Sequence, residues 1–314
     1  MKLHNDQEAF HDLIALTATM IGIPEAAVKR DYFIVMMLQK LAKSVYADRC
    51  VFKGGTSLSK CYPGSIMRFS EDIDLTYIPD DETSKKQYDK ALKGIEKVMS
   101  DEAYVQKIPE ERNDRNKSSY VWFDEVDKEG TKVKLEIGSS IRPDPYEERE
   151  LKTYIQEYLE SHHMDDVVKE YDLESVKVNT LCIERTFLDK VMSVKRHALC
   201  GTLDKKVRHI YDVAVLYNRP DIQLFLGKKE ELKNLLEKTK QTDSFYLEKR
   251  NVSDRYNPVG PYDFSSWDRC FDSSIRARYE SLHEDLLYTS ERQNFDVAID
   301  VFRKISVLFS EIGE

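Results

Sequence analysis

The sequence has few cysteines, and their spacing does not suggest a site. The five cysteines, at positions 50, 61, 182, 200 and 270, stand far apart, and no C-x-x-C pair occurs. Zinc sites and disulfide frameworks use closely spaced or evenly paired cysteines. An odd number of isolated thiols argues against both, and it is typical of thiols that stay reduced. We therefore predict a cytoplasmic location.

Long apolar segments are also missing. The longest apolar run, Phe33 to Leu38, is far shorter than the ~20 residues that a helix needs to cross a bilayer. The N-terminal residues MKLHNDQEAF lack the apolar centre of a secretory signal. We therefore expect no membrane partner.

Length and charge set wide limits on the class of protein. A chain of 314 residues suggests about two domains, and its 33% of charged residues is typical of a well-solvated globular surface. The net charge of −9 argues mildly against a surface devoted to nucleic acid. Several Lys and Arg residues do cluster between Lys190 and His209. This basic segment predicts either a surface that attracts phosphates or ordinary exposed helix faces.

The most informative stretch is residues 51–77, VFKGGTSLSKCYPGSIMRFSEDIDLTY. After a short apolar strand, Gly54 and Gly55 predict a turn in which the backbone approaches a ligand closely, because glycine has no Cβ. Thr56 and Ser57 then predict the start of a helix, where their hydroxyls either cap the helix or donate to phosphate. The spacing differs from that of a Walker loop. Taken alone, such a turn is more often an ordinary strand-to-helix connection.

Two aspartates follow this turn, separated from it by about the length of one helix. Asp72 and Asp74 stand at i and i+2 and are flanked by Ile73 and Leu75, which predicts a half-buried strand. Both carboxylates then leave one face of the strand, where they repel each other unless a cation lies between them. Mg²⁺ or Mn²⁺ accepts such oxygen ligands together with substrate phosphates. The turn and the aspartates, in this order, favour a site for a nucleoside triphosphate and a divalent cation.

The pattern G-G-[ST], a helix, then [DE]-h-[DE]-h with h apolar, resembles the signature of nucleotidyltransferases with a DNA-polymerase-β-like fold. The string FKGGTSLSK…RFSEDIDL is similar to the AbiEii/AbiGii-type branch, toxins of toxin–antitoxin and phage abortive-infection systems. The likeness extends to AVKRDYFIVMMLQKLA upstream and to ERTFLDKVMSVKRHALCGTLDKKVRHIYDVAVLY downstream, roughly residues 25 to 217. It implies an α+β fold, with a mixed sheet flanked by helices and a helical C-terminal domain.

The resemblance also implies functional residues. In related toxins a serine, the first aspartate, a helical lysine and a later aspartate are functional together, and these match Ser70, Asp72, Lys190 and Asp212. The wider superfamily takes a third carboxylate from a later strand, for which Glu136 is the best-placed candidate. By spacing alone, Lys190 and Asp212 would be surface charges, and Glu136 could be an exposed hairpin residue.

The predicted site divides into three groups. The catalytic group is Asp72, Asp74, Lys190, Asp212 and Glu136, and the metal ligands are Asp72, Asp74 and Glu136. The nucleotide-binding group is Lys53, Gly54, Gly55, Thr56, Ser57, Ser70, Arg196 and Arg208. The resemblance does not define the role of Lys53.

Apolar periodicity predicts a mixed fold with a helical C-terminal part. Helices are predicted at 6–21, 24–46, 83–99 and 149–163, and strands at 49–53, 73–78, 119–126, 131–138 and 175–182. The strands 119–126 and 131–138 are predicted to form a hairpin, and loops are predicted at 142–146 and about 241–266. From residue 184 the remaining chain reads as helical. We divide the chain into a nucleotidyltransferase domain, 1–183, and a helical domain, 184–314.

The expected activity is transfer of a nucleoside monophosphate from a nucleoside triphosphate to an acceptor, with Mg²⁺ and release of pyrophosphate. The resemblance implies the 3′ end of a tRNA as acceptor and a cognate antitoxin as partner. Two alternatives stay open: an enzyme of this fold that modifies a protein or small molecule, and a nucleotide-binding protein without turnover. Intact Asp72 and Asp74 argue against the latter, because a degenerate site would usually have lost one of them.

Overall fold

The computed structural model describes residues 2–80, 84–139, 142–247, 256–285, 287, 289 and 291–313. Two predictions fall partly outside these residues: the start of the helix predicted at 83–99, and residues 248–255 of the loop predicted at 241–266. Among the described residues, no helix has the length and apolar character needed to cross a membrane.

The chain forms two compact units. The sheet unit comprises Met1–Cys61 and Phe69–Leu181, and the helical unit comprises Tyr62–Arg68 and Cys182–Glu314. The segment Tyr62–Arg68, which lies inside the glycine and aspartate motif, therefore belongs to the helical unit. That the parts 1–183 and 184–314 are separate domains stays a prediction.

The sheet unit is built around one mixed sheet. Its strands are β1 (Cys50–Lys53), β2 (Asp72–Tyr77), β3 (Tyr104–Lys107), β4 (Asn116–Trp122), β5 (Val133–Gly138), β6 (Tyr146–Leu151) and β7 (Val176–Leu181). The strand order is β3-β4-β5-β2-β1-β7-β6. β2 runs antiparallel to β1 and parallel to β5, and β1 runs parallel to β7. The predicted mixed sheet is confirmed.

The sheet unit also contains helices, and several of them pack against this sheet. They are α1 (Gln7–Ile21), α2 (Glu25–Ala42), α3 (Gly54–Cys61), α4 (Lys85–Met99), α5 (Lys128–Thr131), α6 (Tyr154–Ser161) and α7 (Asp165–Glu170). α2 contacts β5 and β7, and α3 contacts β1 and β2. α1 begins where the Asp6 carboxylate accepts the N–H of Ala9, and it ends at Ile21, before Gly22, whose φ of 76° only glycine adopts easily.

The two faces of β2 and β5 differ in polarity. The apolar set, buried, is Ile73, Leu75, Leu135 and Ile137, and the polar set, half-buried, is Asp72, Asp74, Lys134 and Glu136. Burying each Leu or Ile side chain stabilises the fold by about 2 kcal/mol. A slip of one residue would send the apolar set to the other face, so this burial fixes the register.

The helical unit contains the remaining helices. They are α8 (Ile183–Leu199), α9 (Val207–Tyr217), α10 (Pro220–Leu226), α11 (Lys229–Leu247), α12 (Ser273–Asp285) and α13 (Phe295–Glu311). α8 packs against α9 and α11, and α13 packs against α9. Trp267 is fully buried and meets the rings of Tyr262, Phe264 and Phe302. The predicted helical C-terminal part is confirmed.

The structure corrects the prediction around residue 149. β6 (Tyr146–Leu151) occupies the end of the predicted loop and the start of the predicted helix, and α6 begins only at Tyr154. The sequence YEEREL consists mostly of good helix formers, so local propensity favours a helix. Pairing of all six residues with β7 overrides that propensity, and the charged side chains suit an edge strand. β3 was also missed, because its four residues are all exposed.

Candidate active site

The sheet register brings three carboxylates to one part of the sheet unit. Asp72 and Asp74 lie two residues apart on β2, and Asp74 is the direct partner of Glu136 on β5. Burial and the negative charge of Asp74 raise the pKa of Glu136, and the ion pair with Lys134 opposes this shift. The predicted third carboxylate therefore lies beside the aspartates. Its role in chemistry stays a prediction.

Gly54 packs directly against Asp74. Its φ of 89° lies in the left-handed region, and a Cβ built on it would be 2.2 Å from Asp74 Oδ2. Any other residue would strain the backbone and displace the carboxylate. Lys53, the partner of Asp74 across the strand pair, places its Nζ 4.0 Å from Asp74 Oδ1. The glycine turn thus shapes the surroundings of this carboxylate.

The hydroxyls of Thr56 and Ser57 are used within the chain. Thr56 Oγ1 donates to the carbonyl oxygen of Asp72 and lies 2.9 Å from Ser70 Oγ. Ser57 Oγ donates to the carbonyl oxygen of Gly54 at 3.0 Å, and both side chains are buried. α3 begins at Gly54, two residues earlier than predicted. In this structure the hydroxyls hold the glycine turn to the start of β2, and phosphate binding by them stays a prediction.

A buried ion pair fixes the other end of α3. Lys60 Nζ lies 2.6 Å from Asp31 Oδ1 on α2, and both side chains are almost fully buried. The other carboxylate oxygen of Asp31 accepts the N–H of Tyr154 at the start of α6, and the Lys60 ammonium also lies over the Tyr154 ring. Sequence reasoning did not predict this ion pair. The sequence signal was an aspartate placed directly before the apolar run of α2.

Lys190 and Asp212 meet in the helical unit, where they join Arg68. Lys190 Nζ lies 2.7 Å from Asp212 Oδ2, and Arg68 donates from Nε and Nη2 to the two oxygens of the same carboxylate at 2.7 and 2.8 Å. Asp212 is fully buried, and the two cations are about 5% exposed. Burial alone would raise the pKa of Asp212, but Arg68 and Lys190 outweigh it and hold that pKa well below its usual value.

Sequence reasoning missed Arg68. The signal was present, because Asp212 lies on α9 between apolar residues, and a buried carboxylate needs a cation. The residues beside the pair are also in contact, since Met67 N–H donates to the Tyr211 hydroxyl at 3.3 Å. Two adjacent residues of the segment Tyr62–Arg68 are therefore bound to two adjacent residues of α9.

The basic segment between Lys190 and His209 is not one exposed strip. Lys190 binds Asp212, Lys195 is buried and donates to the carbonyl oxygen of Pro261 at 2.8 Å, and Arg196 pairs with Asp243. Arg208 is exposed. Of the two predicted arginine contacts to phosphate, Arg196 is thus engaged within the unit, and the exposed cations of the segment are Lys205 and Arg208.

The residues of β2 and β5 suit a divalent cation by their chemistry. Among the described residues, no three His, Cys, Asp or Glu side chains form a ready metal-binding group. Asp72 and Asp74 nevertheless offer oxygen donors from one face, and Asp74 adds to the negative potential that raises the pKa of Glu136. A bound cation would relieve that potential. Asp72, Asp74 and Glu136 are therefore the residues that would hold Mg²⁺ or Mn²⁺.

One solved structure shows a similar fold, and a second match is weaker. MenT4, a nucleotidyltransferase toxin from Mycobacterium tuberculosis H37Rv, matches with a TM-score of 0.50 and 18% identity, over 95% of this chain and 98% of that chain. A proposed nucleotidyltransferase from H. pylori is 17% identical over 83% of this chain and 98% of that chain, with a TM-score of 0.38, which is too low to support an argument. No curated protein matches. At 18% identity the likeness to MenT4 concerns the fold alone.

The fold and the paired aspartates behind a glycine turn define the class of protein, a nucleotidyltransferase. Residues 36–301 match the family described as nucleotidyl transferase AbiEii toxin, type IV toxin–antitoxin system. This match spans most of the chain, and the protein belongs to that family.

Proposed function

We propose that this toxin transfers a nucleoside monophosphate from a nucleoside triphosphate to an acceptor hydroxyl and releases pyrophosphate. The observation that carries the proposal is the register that sets Asp74 beside Glu136, with Asp72 on the same face and Gly54 against Asp74. Carboxylates this close repel each other and lower stability. Such an arrangement accommodates a divalent cation together with the phosphates bound to it.

The reaction forms a bond between the acceptor oxygen and the α-phosphorus and breaks the bond from that phosphorus to the leaving pyrophosphate. The acceptor proton passes to a carboxylate, and we assign this step to Glu136 because it lies directly beside Asp74 in the sheet. A divalent cation held by Asp72 and Asp74 would supply neutralisation of phosphate charge. The backbone at Gly54 and Gly55 would admit the phosphates closely, since neither residue has a Cβ.

We assign stabilisation of the leaving pyrophosphate to cations of the helical unit. We assign Lys190 to stabilising the pyrophosphate, in agreement with the family pattern. Asp212 holds the ammonium of Lys190 and does not move a proton itself, because two cations occupy its carboxylate. Arg208, exposed on α9, is assigned a weaker contact with phosphate.

The acceptor we propose is the 3′ end of a tRNA, and an antitoxin is the proposed regulatory partner. Support for the antitoxin comes from the type IV toxin–antitoxin family. Support for tRNA comes from the resemblance of the FKGGTSLSK…RFSEDIDL string to toxins of this kind. The basic segment of the helical unit adds little support, because several of its cations are engaged internally.

The test is transfer of label from each of the four ribonucleoside triphosphates, labelled on the α-phosphate. The purified protein is incubated with Mg²⁺ and either total tRNA or total cell protein. The proposal predicts label in tRNA and none with Asp72→Ala. Label in protein would replace the acceptor, nucleotide binding without pyrophosphate release would make the chain a binding protein, and full activity of Asp72→Ala would overturn the site.

A further inference from the structure

We propose that the sheet unit binds the single-stranded end of an RNA acceptor on an aromatic strip beside the carboxylates. The aromatic strip consists of Tyr104 on β3 and of Tyr120 and Trp122 on β4. This inference rests on the proposed function, since it gives the proposed acceptor a binding surface, but binding of a strand can be measured without transfer.

The sheet register places the aromatic strip on the face that carries the carboxylates. Lys134 on β5 pairs with Asp72 on one side and with Tyr120 on the other. Partners on neighbouring strands share a face, and so do residues two apart along a strand. Tyr120 therefore lies on the face of Asp72, and so do Trp122 and its direct partner Tyr104. Because neighbouring strands are about 4.8 Å apart, the backbones of Asp72 and Tyr120 lie about 10 Å apart.

The other face of β4 packs against a helix. Ser119, which points to that face, donates from its hydroxyl to the Glu96 carboxylate of α4. On the face of the aromatic strip, Tyr104 is 45% exposed, and Tyr120 and Trp122 are half-buried. The rings of the aromatic strip are therefore on the side of β4 that a ligand can reach.

The rings of the aromatic strip suit stacking by nucleic-acid bases. Tyr104 and Trp122 are stacked, with ring centroids 5.8 Å apart and planes 15° apart. Bases of any sequence stack on such rings, because every base has a π face. Single-stranded RNA exposes its bases for this contact, whereas in a duplex they are paired and stacked on one another.

Two lysines accompany the rings. Lys128 Nζ lies 4.2 Å from the centroid of the Trp122 ring, and Lys132 Nζ lies 5.5 Å from that of the Tyr120 ring. Ammonium groups beside stacked bases can contact the phosphates of a strand. Since Lys132 also pairs with Glu129 at 2.6 Å, we expect stacking to contribute more to affinity than these charges do.

The strand order assigns the aromatic strip to the acceptor and not to the triphosphate. Gly54, proposed to admit the phosphates, follows β1 and packs against Asp74 on β2. Glu136, proposed to take the acceptor proton, lies on β5, on the side of β2 away from β1. β4 and β3 lie beyond β5 in the same direction. An acceptor strand whose hydroxyl reaches Glu136 can therefore extend over Tyr120 and Trp122.

The experiment measures binding of a short single-stranded oligoadenylate by calorimetry and by tryptophan fluorescence. The chain has two tryptophans, and Trp267 is fully buried, so quenching by the strand reports on Trp122. We expect Trp122→Leu and Tyr104→Leu each to weaken binding about tenfold. Trp122→Phe keeps a ring, so it should bind within about twofold of the wild type but without quenching.

The matched control is Tyr146→Leu. Tyr146 lies on β6, the edge strand at the opposite end of the sheet from β3, and it is 40% exposed. We expect its affinity for the strand to equal that of the wild type. Affinity for the ribonucleoside triphosphates with Mg²⁺ should stay unchanged in Tyr104→Leu and Trp122→Leu. Circular dichroism and thermal melting show that each variant is folded.

The outcomes separate this inference from the proposed function. Strand binding that depends on the aromatic strip supports the inference even if no transfer is seen. No strand binding by the wild type, equal losses in Tyr104→Leu and Tyr146→Leu, or a loss of triphosphate affinity in place of strand affinity would each overturn it, even if transfer is observed. Lower melting temperatures with unchanged strand affinity would also overturn it, because the rings would then only stabilise the sheet.

Discussion

Two clusters of three charged residues differ in how their charges are combined. On β2 and β5, Asp72, Asp74 and Glu136 are like charges, half-buried on one face of the sheet. In the helical unit, Arg68, Lys190 and Asp212 are opposite charges, nearly buried and hydrogen-bonded to one another. The first cluster raises the pKa of one of its own members, and the second lowers the pKa of its carboxylate.

The two clusters affect the stability of the protein in different ways. Crowded carboxylates repel, so the sheet cluster costs free energy that a bound cation would recover. The helical cluster stabilises its unit only while all members are present, because loss of one partner leaves an uncompensated buried charge. The same chemical change, aspartate to asparagine, should therefore have opposite effects on stability in the two places.

The largest effect is expected for Asp74→Asn. We expect transfer to fall by about 10³-fold, because the variant loses a carboxylate at the proposed metal site. The free energy of unfolding should not fall, because repulsion with Glu136 is relieved. Rates of label transfer and urea unfolding measure the two quantities. A loss of stability equal to that of a core substitution would contradict this view of the sheet cluster.

Asp212→Asn should lower the free energy of unfolding by about 3–5 kcal/mol, because Arg68 and Lys190 lose their shared counter-ion in a buried place. Urea unfolding followed by circular dichroism measures this change. The comparison with Asp74→Asn is direct, since both variants make the same substitution. Equal stability of the two variants would remove the distinction between the clusters.

Gly54→Ala tests how closely the turn approaches Asp74. We expect a cost of about 1–3 kcal/mol in stability and a strong loss of transfer, because the new Cβ displaces the carboxylate. Gly22→Ala is the matched control: Gly22 has a φ of 76°, and a Cβ there would meet nothing within 4 Å. It should cost about 1 kcal/mol, from backbone strain alone, and leave transfer unchanged. Equal transfer by both variants would show that the approach is unimportant.

The smallest effect concerns the pH dependence of stability in the helical unit. His209 faces Lys190, Lys206, Arg68 and Asp212, and burial together with the cations lowers its pKa in the folded state. In the unfolded chain His209 takes up a proton near pH 6.5, and in the folded chain it does not. The contribution of His209 to the free energy of unfolding is therefore fully present above this pH and is lost progressively as the pH falls below it.

His209→Gln should therefore make the fall between pH 6.5 and 5 shallower, by up to about 1.4 kcal/mol per pH unit. Urea unfolding at several pH values measures the slope. His197, whose pKa burial lowers to about 4, keeps its own contribution in this variant. An unchanged slope would mean that His209 does not stay neutral in the folded protein.

Much of the sheet cluster could be predicted from the sequence. The alternation around Ile73 and Leu75 places Asp72 and Asp74 on one face, because the side-chain period of a strand is two. The glycine pair, Gly54 and Gly55, is also recognisable locally, because residues without a Cβ predict a turn. Glu136 was placed on a strand by its pattern, and its position beside the aspartates followed only from the resemblance, since local patterns do not give the strand order.

The helical cluster could be predicted only in part. Lys190 and Asp212 came from the resemblance, and by spacing alone they were surface charges. The pairing of Asp212 with Arg68 joins residues 144 positions apart in the sequence, and no local pattern encodes such a contact. At β6 the local sequence predicts the wrong element: its charged residues favour a helix, and only pairing with β7 makes it a strand.

The most direct test of the central claim is the rate of pyrophosphate release by the wild type and by Asp74→Asn, at equal folded fraction and with Mg²⁺, nucleoside triphosphate and tRNA. The central claim is that the carboxylates of β2 and β5 serve the reaction and do not stabilise the fold. We predict steady release by the wild type and none above background from a variant that is at least as stable. Release at the wild-type rate from Asp74→Asn would contradict the account.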